Sequence, residues 1–176
     1  LTTLACNLKE MAGDTRVTWE EVGMDTIQAV KIFVGKDAIY GMTGGNCTGV
    51  IRAIEWLQSE RIEDRKPQPP EYEHSWDWRI FELSDNGIAV YNEFLEREQT
   101  IEPILALGSG RKVALYCMKY LHMSPAEAVR EACKVDHHSE LPIYRASLAS
   151  MEVELWRPPK KKRKSPADIA PDVRAS

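Results

Sequence analysis

The stretch that decides the fold is Thr2-Thr3-Leu4-Ala5-Cys6-Asn7-Leu8-Lys9-Glu10-Met11-Ala12-Gly13-Asp14-Thr15-Arg16-Val17-Thr18. Residues 2–6 are apolar and β-branched enough for a strand. Asn7 to Glu10 supply turn chemistry, and 11–18 return as a second strand ending in Gly13-Asp14-Thr15-Arg16. The chain therefore opens with an antiparallel hairpin.

Working outward, Thr18 to Ile27 is polar and reads as loop. Val30–Val34 and Ala38–Met42 are strands about a turn at Gly35-Lys36-Asp37, and Thr43-Gly44-Gly45-Asn46 closes that pair. Cys47 to Arg61 carries Val50, Ile51, Ile54 and Leu57 at helical spacing. Pro67, Pro69 and Pro70 mark an exposed loop. Trp78–Leu83 and Ile88–Tyr91 flank Ser84-Asp85-Asn86-Gly87, a hairpin signal, and Glu93 to Thr100 is polar. Ile104–Leu107 is a strand that runs into Gly108-Ser109-Gly110 and then a helix from Arg111 to Leu121. Ser124-Pro125-Ala126-Glu127 opens another helix with a capping box, and Ala128, Val129, Ala132 and Cys133 form its apolar face. Ile143–Leu148 and Met151–Trp156 are closing strands. Strands cluster in hairpins and helices come in separate blocks, so the class is α+β with mainly antiparallel sheets.

Composition sets the outer bounds. At 176 residues, one domain is the expectation, with 43% hydrophobic and 28% charged residues as in soluble globular proteins. A net charge of −4 gives no pointer to nucleic acid. Cys6, Cys47, Cys117 and Cys133 are scattered without zinc spacing, so free thiols in a reducing compartment are expected. His122, His137 and His138 also lack ligand spacing, and neither a metal nor another cofactor is expected. No apolar run approaches the ~18–20 residues of a membrane span, and the N-terminus lacks a secretory pattern. A cytoplasmic location follows as an expectation. Leu1 reads as a non-AUG start written literally; methionine there would be trimmed before Thr2, leaving Thr2 as the mature N-terminus.

Residues 1–157 form the expected domain, and 158–176 read as a disordered basic, Pro-rich tail. Its Pro159-Lys160-Lys161-Lys162-Arg163-Lys164 run resembles a nuclear import signal, although a plain solvated basic tail is the simpler reading. Trp76 and Trp78 alternate around Asp77 beside the Pro-rich loop as an interface candidate, whereas Trp56 reads as packing.

Six features recur in an order that carries chemistry: Thr2-Thr3, Gly13-Asp14-Thr15-Arg16, Lys31 at a strand start, Gly44-Gly45 and Gly108-Ser109-Gly110 between strand and helix, and Asp136-His137-His138-Ser139 after a helix. In that order, over roughly residues 2–156, the chain resembles the proteasome β-subunit and HslV peptidase family, including its short phage and bacterial relatives. The resemblance implies the N-terminal-nucleophile hydrolase fold, a four-layer αββα sandwich.

It also implies a threonine endopeptidase. A threonine hydroxyl needs a base, and a free α-amino group, with an ordinary pKa near ~7.7–8.0, can serve as one at neutral pH. Thr2 matches the nucleophile. Lys31 matches the lysine whose charge tunes the amine and hydroxyl, and Asp14 the carboxylate that orients it. Gly44 matches the oxyanion donor, and Ser109, Asp136 and Ser139 the outer residues that hold amine and water. Plainer roles exist for several: Lys31 as a strand-edge charge, Asp14 and Ser139 as turn residues, Ser109 as a helix cap. The chain departs from many relatives in following Ser139 with Glu140-Leu141 rather than glycines. The implied partners are peptide or unfolded protein substrates, further copies in a homo-oligomeric ring and an ATPase unfoldase, with neither nucleic acid nor membrane. Another amide hydrolase or acylase on the same fold, or an inactive shell or binding protein with Thr2 blocked by residue 1, are the alternative readings.

Overall fold

A computed structural model describes residues 2–17, 27–44, 47–59, 66–67, 78–92 and 94–158. The elements run β1 (Thr3–Asn7), β2 (Glu10–Asp14), β3 (Arg16–Val17), β4 (Ile27–Gln28), β5 (Ile32–Val34), β6 (Ala38–Thr43), α1 (Cys47–Gln58), β7 (Arg79–Ser84), β8 (Gly87–Tyr91), β9 (Arg97–Gln99), β10 (Ile104–Gly108), α2 (Arg111–Leu121), α3 (Pro125–Cys133), β11 (Ile143–Ser147) and β12 (Val153–Leu155).

The opening hairpin closes through Asn7, whose side-chain oxygen accepts the amides of Lys9 at 2.8 Å and Glu10 at 2.9 Å. That local bond is why asparagine favours turns. β1 then lies between β2 and β10 in a five-stranded sheet of order β10-β1-β2-β11-β12, and β5 to β9 form a second five-stranded sheet in chain order. Every strand pair is antiparallel.

The two-residue period of a strand sorts β1 between two cores. Leu4 and Cys6 meet Ile39, Phe81, Leu83 and Ile88 between the sheets. Ala5 turns the other way, where it joins Ala12 and Ala106 beneath the α2 and α3 residues Ala114, Met118, Val129 and Ala132. Small alanines there let helices sit close to the sheet. On the far side, Val50, Ala53, Ile54 and Leu57 of α1 cover Tyr40, Ile80 and Tyr91. The layers are helix, sheet, sheet, helix, so the expected α+β sandwich is present.

Helix α2 spans the residues expected of it, and α3 carries the full capping box between Ser124 and Glu127. Four details differ. The expected second strand breaks after Asp14, and Arg16–Val17 pairs with Ile27–Gln28, where the sequence reads as the end of a loop. Ile51 is 44% exposed and Ala53 takes its place in the core, because three residues on from Val50 is Ala53. Strand β9 forms in the polar stretch from Glu93 to Thr100; its backbone pairs with β8 along the sheet edge, which apolar patterning does not reveal. Trp78 is 1% exposed and packs in the α1 core, so it is no surface anchor. Trp56 packs on the same core as expected. Trp19, Trp76, the Pro69-Pro70 pair, Gly45, residue 1 and the tail beyond Pro158 lie outside the described residues.

Candidate active site

The site is built at one end of the first sheet, where β1 begins, β2 ends and β10 ends. The register Leu4↔Gly13 of β1 with β2 carries Thr3 opposite Asp14, and Thr3 pairs directly with Gly108 of β10. Thr2 follows at the entrance, with Lys31 arriving from just before β5. Thr2, Thr3, Asp14 and Lys31 are all buried.

Their side chains converge. Thr2 Oγ1 donates to Asp14 Oδ1 and accepts from Lys31 Nζ, both as short contacts. Lys31 Nζ also donates to Asp14 Oδ1 at 2.9 Å and to the Arg16 carbonyl at 2.5 Å. Asp14 is held from every side: the Thr3 amide donates to Oδ1 at 2.8 Å, and the Arg16 and Glu140 amides donate to Oδ2 at 3.0 and 3.3 Å. A buried ion pair survives only when such bonds satisfy its remaining lone pairs and protons. Neither Asp14 as a free turn residue nor Lys31 as an exposed edge charge fits this geometry.

A second cluster stands next to the first. Asp136 Oδ2 accepts from the hydroxyls of Ser109 at 2.6 Å, Ser139 at 2.5 Å and Thr3 at 3.4 Å. Thr3 Oγ1 and Ser139 Oγ are 2.6 Å apart. Desolvation pushes the Asp136 carboxyl up, but the Ser109 and Ser139 hydroxyls, the His138 amide and the nearby His138 ring outweigh it and hold it below the ordinary range. Ser109 does not cap α2: the N-cap is Gly110, with no side-chain bond. Instead its amide donates to the Thr2 carbonyl at 2.8 Å, and its hydroxyl oxygen, whose proton goes to Asp136, lies 3.3 Å from the same carbonyl.

The glycines on either side of Ser109 make room for the threonines. At Gly108 a Cβ would stand 1.8 Å from the Thr2 carbonyl oxygen, and φ is +90°. At Gly110 it would stand 2.1 Å from Thr3 Oγ1. Any side chain at either place would displace the pair.

Of the seven residues singled out in the sequence, Thr2, Asp14 and Lys31 form one cluster and Ser109, Asp136 and Ser139 the other. Gly44 directly follows β6, exposed, with φ +115°. Three contributors escaped sequence reasoning: the Thr3 side chain, the Arg16 carbonyl and the Glu140 amide. The last two are backbone groups, which carry no residue-type signal. The Thr-Thr pair was the available signal for Thr3.

No described cysteine competes as a nucleophile. Burial, then the nearby Asp14 and Asp136 charges, push the Cys133 thiol up to about 12, and burial likewise raises Cys6 and Cys117. Among the described residues no group of His, Cys, Asp and Glu is placed to hold a metal ion, and no helix is long and apolar enough to cross a membrane.

The sequence matches no family model and no curated protein. Solved structures do match. Thiobacillus denitrificans BPH superposes with a TM-score of 0.57 at 18% identity, covering 90% of this chain and 99% of that one. A second structure of BPH, in complex with epoxomicin, gives 0.57 and 18% over 89% and 99%. Eukaryotic HslV from Trypanosoma brucei gives 0.57 at 14% identity over 82% and 98%. The fold is therefore that of the HslV and proteasome-like proteins, present along nearly the whole length of these neighbours.

Proposed function

We propose that this chain, which has the HslV and proteasome-like fold, is a threonine peptidase whose nucleophile is the hydroxyl of Thr2 once Thr2 is the N-terminus. The observation that carries this reading is the double engagement of Thr2 Oγ1 by Lys31 and Asp14, both buried.

Lys31 keeps a positive charge within hydrogen-bond reach of the oxygen that attacks, so negative charge developing there is stabilised by a group already in place. Asp14 holds that ammonium and neutralises it in the resting site. The freed α-amine of Thr2 takes the hydroxyl proton, through a water, as Oγ1 adds to the scissile carbonyl. Collapse breaks the C–N bond, the proton passes to the leaving amine, and an ester to Thr2 remains. Water then adds to the ester, the amine again accepting its proton, and collapse breaks the C–Oγ1 bond, returns that proton to Thr2 Oγ1 and releases the acid. The Gly44 amide is assigned to the oxyanion, and Ser109, Asp136 and Ser139 to holding the amine and water. Ser109 supports this by gripping the Thr2 carbonyl, which fixes the main chain from which the amine projects.

Peptides or unfolded protein segments are the proposed substrates. Self-assembly into a closed ring is proposed with them, since an unsheltered peptidase would act indiscriminately and closed symmetry shelters it. An ATPase that feeds such a chamber is the proposed partner.

The test is a mass measurement of the active protein before and after epoxomicin, the compound bound in one of the BPH structures. The expected result is a chain that begins at Thr2, with the adduct mapped to Thr2. Retention of residue 1 in an active preparation, or an adduct on a cysteine, would rule the mechanism out.

A further inference from the structure

Thr3 is the residue in contact with both carboxylates. Its amide donates to Asp14 Oδ1 at 2.8 Å, the same oxygen that binds Thr2 and Lys31. Its hydroxyl lies 3.4 Å from Asp136 Oδ2 and 2.6 Å from Ser139 Oγ. The side chain is fully buried, and Gly110 offers it the only kind of neighbour that leaves space for Oγ1.

Strand alternation explains the placement. Leu4 faces the second sheet, so Thr3 faces the helices, into the loop that carries Asp136 and Ser139. A buried β-branched residue has few χ1 choices, and here the hydroxyl selects one of them. A valine would fill the apolar side of this position equally well. The hydroxyl is the feature that packing does not explain.

We propose that Thr3 is a positioning residue that joins the Asp14 and Asp136 clusters into one unit and so fixes the rotation of Thr2 between them. The inference rests on the threonine-peptidase reading and names a residue that reading leaves out. Thr3 itself touches no reacting atom. It acts through the main chain it shares with Thr2 and through Ser139.

The geometry makes separable demands on three variants. Thr3→Val keeps shape and branching but presents a methyl to Ser139 and Asp136, so Ser139 loses its bond to Thr3 and keeps only the one to Asp136. Loss of one hydrogen bond that holds the reacting geometry corresponds to roughly a tenfold loss of rate at most. Thr3→Ser keeps the hydroxyl and loses only the methyl, and Thr3→Ala loses both.

The experiment measures the rate of epoxomicin adduct formation at Thr2, with kcat and KM for a fluorogenic peptide, in the full-length wild type and the three variants. Urea unfolding of each is run alongside. The expected outcome is a kcat and adduct rate down roughly tenfold in Thr3→Val with KM unchanged, and recovery to within about twofold of wild type in Thr3→Ser. Were Thr3→Val to react at the wild-type rate while the wild type is labelled at Thr2, Thr3 would be a packing residue only, and the peptidase reading would stand. Thr3 would equally be a packing residue if Thr3→Ser is as slow as Thr3→Val, or if every loss of rate tracks a loss of stability. A wild type that takes no label at Thr2 would overturn both readings together.

Discussion

Lys31 Nζ and Asp14 Oδ1 lie 2.9 Å apart with their side chains 4% and 0% exposed, and both reach the hydroxyl of Thr2. Two opposite charges taken this far out of water hold each other in place. Removing either one strands the other. The pair therefore does two jobs, one structural and one chemical, and a double substitution can separate them.

Lys31→Met or Asp14→Asn alone should lower stability by about 3–5 kcal/mol, because each leaves a buried charge without its partner. The Lys31→Met/Asp14→Asn double variant should recover much of that loss, since it removes both charges. Peptide turnover should be absent in all three. Urea unfolding and a fluorogenic peptide assay check both halves. A double variant as unstable as the worse single would mean that the pair is not the source of the cost.

Thr2→Ala should abolish turnover and keep the fold with a modest drop in the unfolding midpoint, because Lys31 and Asp14 each lose one bond to the buried hydroxyl but keep each other. Thr2→Ser should keep measurable activity, as hydroxyl and amine both survive and only the methyl that restrains χ1 is lost. Wild-type turnover by Thr2→Ala would transfer the nucleophile elsewhere.

How far the sequence revealed this site depends on what kind of atom does the work. Asp14, Lys31, Ser109, Asp136 and Ser139 stand at strand or helix boundaries, where turn glycines and abrupt changes of periodicity make a polar residue conspicuous. Their grouping into two clusters was not visible, because it needs the register of β1 against β2 and β10, and register is a property of the whole sheet. Arg16 and Glu140 contribute backbone groups, which any residue type possesses. Glu140 also shows why its departure from glycine is tolerated: its amide bonds Asp14 at 3.3 Å and its carbonyl accepts from Thr15, so the main chain does the work. The fold was more legible than the site, since hairpins and amphipathic helices announce themselves locally. The polar edge strand β9, the short β3–β4 pair, the phase of α1 and the burial of Trp78 escaped.

Gly108→Ala should damage both fold and activity. The new Cβ would stand 1.8 Å from the Thr2 carbonyl oxygen in a backbone with φ +90°. Gly87 has a similar φ of +99°, but its nearest neighbour would be the flexible Gln99 amide at 3.3 Å. Gly87→Ala should therefore lose some stability through strain alone and keep the full kcat per folded molecule. Comparing the two variants isolates the close approach at Thr2 from the backbone conformation they share; equal activity in both would remove that approach from the account.

Asp136 provides a prediction in pH. Although desolvation pushes its carboxyl up, the hydroxyls of Ser109 and Ser139 hold it below the ordinary value in the folded chain. An unfolded aspartate titrates near ~3.9. The folded value being the lower one, the unfolded chain binds the proton first as pH falls, so this group's contribution to stability is full above the unfolded value. It is then lost on the way down through the folded one. Asp136→Asn should thus be less stable than wild type at pH 6, and the two should converge as the pH drops below about 4. Urea midpoints measured at intervals from pH 7 to pH 3 would trace this. Because the His138 ring also acts on Asp136, the same series on His138→Gln separates its share: that variant should keep most of the dependence, since the serine hydroxyls are the larger influence. A gap between Asp136→Asn and wild type that stays constant down to pH 3 would show that the three hydroxyls stabilise the loop by shape and not by binding a charged carboxylate.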